Sequence, residues 1–202
     1  MNFKDYNHLK IALLMLLFLM ICLPIFTSCQ RGELVIDPES EALGYKIFKG
    51  TTKGFRISFE YPNTWGRNTV DRGGTYNYMP LSPLNSRVII VSDKTGDSNA
   101  DEILDSIIDG ESKNTEFQII IRSKIVLGKT EGEEVNYSYR FGVEDPHRPL
   151  VYAEPGDKVI GRILSVNHND YNYNLFLLAA ISNYEDANRG FEHIIQTFKF
   201  LD

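Results

Sequence analysis

Histidine combines acid–base and metal chemistry near neutral pH, and the sequence contains four histidines. They are His8, His147, His168 and His193, each far from the next in sequence. A zinc site needs three or four ligands, and the sequence has neither a His-x-x-x-His motif nor a cysteine pair at ligand spacing. We therefore predict that each histidine is a solvent-facing turn or helix residue, and that the chain has no zinc site.

An acidic stretch is the second candidate for metal chemistry. Asp97, Asn99 and Asp101 have the 1, 3, 5 spacing of an EF-hand calcium loop. The sixth position of that loop requires glycine and the twelfth requires glutamate, but the chain has Glu102 and Ile108 there. Capping of a helix N-terminus accounts for the same polar residues. The sequence thus predicts a helix start here and no metal ligands.

The remaining catalytic patterns are missing from the sequence. It contains no Gly-x-Ser-x-Gly nucleophile motif and no glycine-rich phosphate loop. The carboxylate pair Glu133–Glu134 is adjacent in sequence, so its two side chains point apart on a strand. Tyr137 and Tyr139 share a strand face, which favours core packing over a tyrosine-lined ligand groove. We predict no catalytic residue, no cofactor and no enzymatic activity.

Cys29 is the residue with the clearest chemical role, because it comes directly after an apolar leader. Lys4 and Lys10 precede the uncharged run Ile11–Phe26. At about 1.5 Å per residue this run reaches about 24 Å as a helix, short of the roughly 30 Å of a bilayer core. A basic segment, a short apolar segment and small residues are typical of a secretory signal peptide. The sequence Phe-Thr-Ser-Cys that ends at Cys29 resembles the lipobox of bacterial lipoproteins, although leucine is usual where Phe26 stands.

This resemblance implies that Cys29 is acylated, for example with palmitate, and becomes the new N-terminus. Removal of residues 1–28 also removes Cys22, so Cys29 would be the single cysteine and no intrachain disulfide could form. Two alternatives are an uncleaved N-terminal membrane anchor and an ordinary signal peptide cut near Ser28. The prediction is a protein of the cell membrane, lipid-anchored through Cys29 and facing the extracytoplasmic side.

Composition indicates a single globular domain after the leader. The chain has 202 residues, enough for a leader and one domain, and 43% of them are hydrophobic. The formal net charge is −6, which excludes the basic field that nucleic acid requires. We predict no nucleic-acid partner.

Alternating and helical hydrophobic patterns predict the elements that position these residues. Strands are predicted at 45–48, Phe55–Tyr61, Val88–Val91, Phe117–Leu127, Glu133–Phe141, Val151–Ala153, Lys158–Val166 and, as the central strand, Tyr173–Ile181. Helices are predicted at 100–112, with Ser98 and Asp101 in a capping box, and at 185–198. The intervening Gly66–Asn85 is rich in Gly, Asn and Pro and is predicted as a loop that folds over the sheet edge. The sum is an α+β fold with about six antiparallel strands and helices covering the sheet.

Three stretches resemble PsbP-like domains. They are GFRISFEYPNTW at 54–65, KIVLGKTEGEEVNYSYRF at 124–141, and the segment from Tyr173 to Phe200 that ends in Thr-Phe-Lys-Phe. The resemblance implies an α–β–α sandwich over 45–202, after a signal peptide at 1–28 and a tether at 29–44. PsbP is an extrinsic photosystem II protein that helps retain calcium and chloride, and a nuclear Ran-binding factor shares its fold. The matching residues are packing residues, so no metal or partner motif is carried over.

The predicted function combines the predicted membrane location with the predicted PsbP-like fold. We expect a lipid-anchored extracytoplasmic protein whose non-catalytic PsbP-like domain binds or assembles with another membrane-surface protein. The alternative is an extracytoplasmic protein that binds a small ligand or a metal ion such as calcium.

Overall fold

Two antiparallel sheets and three helices make up the part of the chain that the computed structural model describes, residues 33–35, 38–51, 54–72, 75–81, 86–94, 99–142 and 153–201. These residues belong to one unit, Gly32–Asp202. The leader and Cys29 lie outside the described residues. None of the helices described here is long and apolar enough to cross a membrane.

The strands are β1 (Glu33–Val35), β2 (Tyr45–Lys49), β3 (Ile57–Pro62), β4 (Gly66–Arg72), β5 (Thr75–Leu81), β6 (Ser86–Lys94), β7 (Thr115–Leu127), β8 (Thr130–Arg140), β9 (Lys158–His168), β10 (Tyr171–Ala180) and β11 (Lys199–Phe200). The helices are α1 (Pro38–Ala42), α2 (Ala100–Glu111) and α3 (Tyr184–Thr197).

The larger sheet has seven strands in the order β4-β5-β6-β10-β9-β8-β7, so β10 lies at its centre. Leu175 of β10 is opposite Ile90 of β6 on one side and Leu164 of β9 on the other. The near-continuous apolar sequence of β10 fits a strand that is covered on both faces. The predicted central strand is confirmed.

The smaller sheet has the order β1-β2-β3-β11 and contains the alternating strand that the sequence predicted. In β3 the side chains of Ile57, Phe59 and Tyr61 are buried, while those between them are half-buried. Phe59 lies opposite Phe48 of β2 in the ladder, and the two rings stack with centroids 5.0 Å apart. Proline ends β3, as expected of a residue without a backbone N–H.

The hydrophobic core lies on both faces of the seven-stranded sheet. Along β10, Tyr173, Leu175 and Leu177 join a cluster with the small sheet and α3. Leu178 and Ala180 point the other way, into a second cluster that includes Leu104 of α2. Because successive strand residues face opposite sides, this division places α2 over one face and α3 over the other. The predicted α–β–α sandwich is confirmed.

The described residues contain more strands than the six or so that the sequence suggested. The predicted loop at 66–85 instead contains the hairpin β4–β5, and β5 pairs with β6 at the edge of the large sheet. The loop prediction was wrong because proline and glycine also occur in edge hairpins. Pro80 pairs with Arg67 of β4. Of β5, only Tyr76–Tyr78 pair with β6, so the missing N–H of Pro80 breaks no ladder with β6.

Two smaller predictions also need correction. Helix α2 is capped by Asn99, whose side chain accepts a hydrogen bond from the backbone N–H of Glu102 while the Glu102 carboxylate accepts one from Asn99 N–H. The capping box therefore lies one residue later than Ser98 and Asp101. Of the predicted strand Val151–Ala153, Ala153 is outside any strand and the other two residues lie outside the described ranges; β9 pairs with β8 and β10.

Candidate interaction surface

Strand β7 forms one edge of the seven-stranded sheet and has β8 as its neighbour there. Its central residues Ile119, Ile120 and Ile121 are 52%, 58% and 51% exposed. Isolated apolar side chains are common on protein surfaces, but three consecutive ones on a sheet edge form a contiguous patch. We name Ile119–Ile121 the isoleucine edge.

A β-bulge explains why all three isoleucines are exposed. Ile119 lies opposite Tyr137 of β8 and Ile121 lies opposite Asn136, so Ile120 has no residue opposite it on β8. A bulge inserts one residue into a strand and changes the direction in which its side chains point. The alternation that would have buried one of the three residues is therefore interrupted at Ile120.

The N-terminal flank of the isoleucine edge is anionic. Glu116 accepts a hydrogen bond from Nε of Arg140 on β8 at 2.9 Å, and this bond holds the pKa of the Glu116 carboxyl below its usual value. Arg140 also donates from Nη1 to the carbonyl of Gly156 at 2.7 Å. The Glu116 side chain is still 59% exposed, so its charge remains available at the surface.

The C-terminal flank is cationic and is tied to α2. Arg122 donates from Nη1 to Asp105 of α2 at 2.6 Å and from Nε to Glu133 of β8 at 3.1 Å. Lys124 contacts the other oxygen of Glu133 and lies 4.0 Å from Asp101. Lys124 and then Arg122 lower the pKa of the carboxyl of Glu133, whose side chain is buried. The ion pairs fix the backbone on this side, while the Lys124 side chain is 77% exposed.

These features together resemble a small protein-binding surface. An apolar centre lies between a carboxylate at one end and two cations at the other, which is the usual order of an apolar core and a polar rim. An edge strand also presents unpaired backbone groups that can pair with another strand. The chemistry available at this edge is therefore recognition by contact and pairing.

A second polar cluster, built on Arg162, lies between the sheet and α3. Arg162 of β9 donates from Nε to Glu134 of β8 and from Nη1 to Asn188 and Glu192 of α3. Burial opposes its charge, but the bonds to Glu134 and Glu192 outweigh burial and raise the pKa of Arg162. The guanidinium also lies 5.5 Å from the ring centre of Phe191. The contacts of Arg162 hold α3 against the sheet.

The two described histidines pack on aromatic rings. His168 stacks on Phe200 with ring centroids 3.8 Å apart, and His193 stacks on Tyr45 at 3.6 Å. Nε2 of His193 lies 2.9 Å from a carboxylate oxygen of Glu60. Both side chains are partly buried rather than fully solvent-facing, and His168 ends β9 rather than lying in a turn, whereas His193 is a helix residue as predicted. The cause is the meeting of distant segments, which spacing along the chain does not reveal.

Other residues singled out in the sequence lie outside the described residues: Cys29, His8, His147 and Asp97. Within the described ranges, no three His, Cys, Asp or Glu side chains form a group that could hold a metal ion. Tyr137 and Tyr139 stack with centroids 6.1 Å apart in the core beneath α2. The prediction that these two tyrosines pack in the core is confirmed.

Sequence reasoning predicted the strand at 117–127, but not the exposure of the isoleucine edge. The available signal was the run Ile-Ile-Ile between Gln118 and Arg122, where three apolar residues replace the usual alternation. A buried central strand would give the same run, so the distinction depends on the order of strands in the sheet.

None of the known protein-family models matches this sequence, and a search of curated proteins also gives no match. Solved structures do match. The solution structure of cyanobacterial PsbP from Synechocystis sp. PCC 6803 has a TM-score of 0.51 at 11% identity, covering 78% of this chain and 93% of that one. The chain has the PsbP-like fold.

Two further structures share the PsbP-like fold. LpqN of Mycobacterium tuberculosis, involved in cell envelope biogenesis, matches with a TM-score of 0.50 and 14% identity over 84% of this chain and 90% of that one. The Ran-binding protein Mog1p of Saccharomyces cerevisiae matches with a TM-score of 0.50 and 9% identity over 78% of this chain and 96% of that one. The predicted resemblance to PsbP-like domains is thus confirmed as a shared fold, which by itself carries no common activity.

Proposed function

We propose that this chain is a lipid-anchored extracytoplasmic protein whose PsbP-like domain is a non-catalytic binding module. Its role is to hold a partner protein at the membrane surface, and the isoleucine edge makes the contact. The observation that carries the proposal is the exposure of Ile119–Ile121 in the middle of an edge strand with charged flanks.

The energetics of the edge support protein binding. Each isoleucine has roughly half of its surface in water, and burial of apolar surface contributes about 25 cal/mol for each Å² removed from water. A strand that pairs with β7 would cover these side chains and also satisfy the outer backbone groups of the edge. The flanking charges would add specificity for a partner of complementary charge.

The relatives in fold support the same class of function. LpqN has a role in the cell envelope, and Mog1p binds another protein, Ran. The lipobox-like sequence before Cys29 supports attachment to a membrane, where the acyl chains anchor the chain and the acidic domain faces water.

Metabolic labelling with a fatty-acid analogue tests the anchor. We expect label on the full-length chain and none on a Cys29→Ala variant. Cys22→Ala is the matched control, because Cys22 lies inside the apolar run and its loss should leave labelling unchanged. Label that persists in Cys29→Ala would contradict lipid attachment at this residue.

Photo-cross-linking in cells tests the contact. A photoreactive amino acid at position 120 of the full-length chain should cross-link to protein, whereas the same group at position 181 should not. Ile181 is the matched control, because it is an isoleucine of similar exposure, 55%, in the turn directly after β10. Equal cross-linking at the two positions, or none at position 120, would contradict a binding role for the isoleucine edge.

A further inference from the structure

The isoleucine edge is complementary to itself. We infer that its partner is a second copy of this chain, with the two β7 strands paired antiparallel about a two-fold axis at Ile120. The inference rests on the proposed function, in which this edge binds protein, and it names the partner.

The apolar part of the match comes from the position of the axis. With the two-fold axis at Ile120, this residue faces itself in the second copy, and Ile119 faces Ile121. Six isoleucine side chains then meet at the centre of the contact. Directly opposed β-branched residues are favourable cross-strand pairs.

The charged part of the match comes from the flanks. The same axis brings the flank of one copy that contains Glu116 alongside the flank of the other that contains Lys124, and the symmetry repeats this contact on the other side. Gln118 faces Arg122, so no two like charges are directly opposed. Glu116 and Lys124 keep 59% and 77% of their side-chain surface exposed beside their partners within the chain, and both can therefore reach across the contact.

Neighbouring registers lose part of the apolar match. With the axis at Ile121, the apolar Ile120 would face the charged Arg122. With the axis at Ile119, Ile120 would face Gln118. The axis at Ile120 alone among the three places each of the three isoleucines of one copy opposite an isoleucine of the other.

The bulge is compatible with this axis. Ile120 is the bulged residue and has no opposite residue on β8. Because it would lie on the two-fold axis, the bulges of the two copies would coincide at one point, and neither would shift the pairing of the residues on either side. A second irregularity in the register of β7 lies between Thr115 and Gln118, where Glu116 has a φ of 57°. Because a bulge there would place two residues of one copy against one of the other, residue-by-residue pairing is inferred only from Gln118 to Arg122.

Membrane attachment would favour the pairing. Copies that are held on one surface by a lipid meet at a higher effective concentration than copies in solution. A contact that consists of one strand edge is small by the standard of stable soluble dimers. Because the contact is small and membrane attachment raises the effective concentration, we expect the dimer to form on the membrane.

Disulfide trapping of the full-length chain in membranes tests the inference. Opposed residues in antiparallel strands have Cα atoms about 4.5–5.5 Å apart, within the range that a disulfide spans. We therefore expect Ile120→Cys to give a homodimer under mild oxidation, and to give several times more of it than Ile181→Cys. The unmodified chain is the control for the native cysteines Cys22 and Cys29.

Two differently tagged variants test the register. When Gln118→Cys and Arg122→Cys chains are produced together, they should cross-link to one another, and each produced alone should not. In the Ile120→Cys background, Glu116→Lys should reduce the homodimer several-fold, because a lysine at position 116 would lie in the flank that meets Lys124 of the second copy. Glu116, Gln118 and Arg122 are exposed, so folding should persist.

The outcomes separate the two proposals. A homodimer yield from Ile120→Cys no higher than that from Ile181→Cys overturns self-pairing. A cross-linked product between Ile120→Cys and a different protein, without homodimer, also overturns self-pairing but leaves the edge as a protein-binding surface. Failure of the photo-cross-linking at position 120 would instead overturn the proposed function itself.

Discussion

Gly190, in the middle of α3, packs directly against the indole ring of Trp65. A Cβ atom added at position 190 would lie 2.7 Å from Cη2 of Trp65, closer still to Cζ2, and 3.0 Å from Cγ of Pro62. Contacts this short require the ring or the helix to move. The absence of a side chain at Gly190 therefore sets how closely α3 approaches the end of β3.

The sign of the Gly190→Ala effect depends on two opposed contributions. Alanine in a helix interior stabilises by about 0.8–1.0 kcal/mol relative to glycine. Forcing an extra methyl group into a packed site costs about 1–3 kcal/mol. We expect the second contribution to exceed the first and Gly190→Ala to lower the free energy of unfolding by about 1 kcal/mol.

Gly110 of α2 provides the matched control, because a Cβ there would meet nothing within 4 Å. Gly110→Ala should therefore raise the free energy of unfolding, by up to about 1 kcal/mol. Both variants are measured by urea unfolding of the fragment 30–202, monitored by fluorescence of Trp65, the single tryptophan.

A double-mutant cycle tests the cause. In a Trp65→Phe background the two closest ring atoms are absent, so Gly190→Ala should become neutral or stabilising, measured there by circular dichroism. If Gly190→Ala in the unaltered background stabilises as much as Gly110→Ala, the proposed close approach of α3 to Trp65 is wrong.

Three further predictions concern buried charge and can be checked with the same fragment. Arg162→Met should lower the free energy of unfolding by about 3–5 kcal/mol, because it leaves Glu134 buried without its cation; Arg162→Met with Glu134→Leu should recover most of the loss in urea unfolding. The lowered pKa of Glu133 means that its ionised form stabilises the fold above the ordinary carboxyl pKa of 4.5 and that this contribution is lost as pH falls through the folded value. The stability of Glu133→Gln should therefore fall less steeply below that pH than that of the unaltered chain, and parallel curves would contradict this. Phe59→Asp should prevent folding because Phe59 is 1% exposed, whereas Arg56→Asp at an exposed position should leave the melting temperature nearly unchanged.

Local patterns predicted those elements whose burial repeats regularly along the chain. The stripe on α3 is an example, since Phe191, Ile194 and Phe198 are buried in the core as their spacing indicates. Helices were predicted to cover the sheet, and Phe198 at the end of this stripe stacks on Phe59 of β3 with centroids 6.2 Å apart. In these cases the face that the spacing of apolar residues predicts to be buried is the face that another element covers.

Features that depend on strand order could not be predicted in the same way. Periodicity does not reveal which strand forms an edge, so the exposure of Ile120 became evident only from the position of β7 in the sheet. The stacking of His193 on Tyr45 likewise joins two segments far apart in sequence. Such contacts are set by topology, and the local pattern of a single sequence carries little information about topology.

The position of β10 has a consequence for how the protein is made. The seven-stranded sheet closes only when β10 inserts between β6 and β9, yet β10 is its last strand in sequence. A chain still emerging from a ribosome or a translocation channel has neither the middle of its sheet nor the helix α3 that comes after it. Non-local pairing of this kind is slow, and unpaired strands aggregate readily. During synthesis the chain would thus depend on being kept unfolded, and a stop codon between β9 and β10 would leave two half-sheets with nothing to join them.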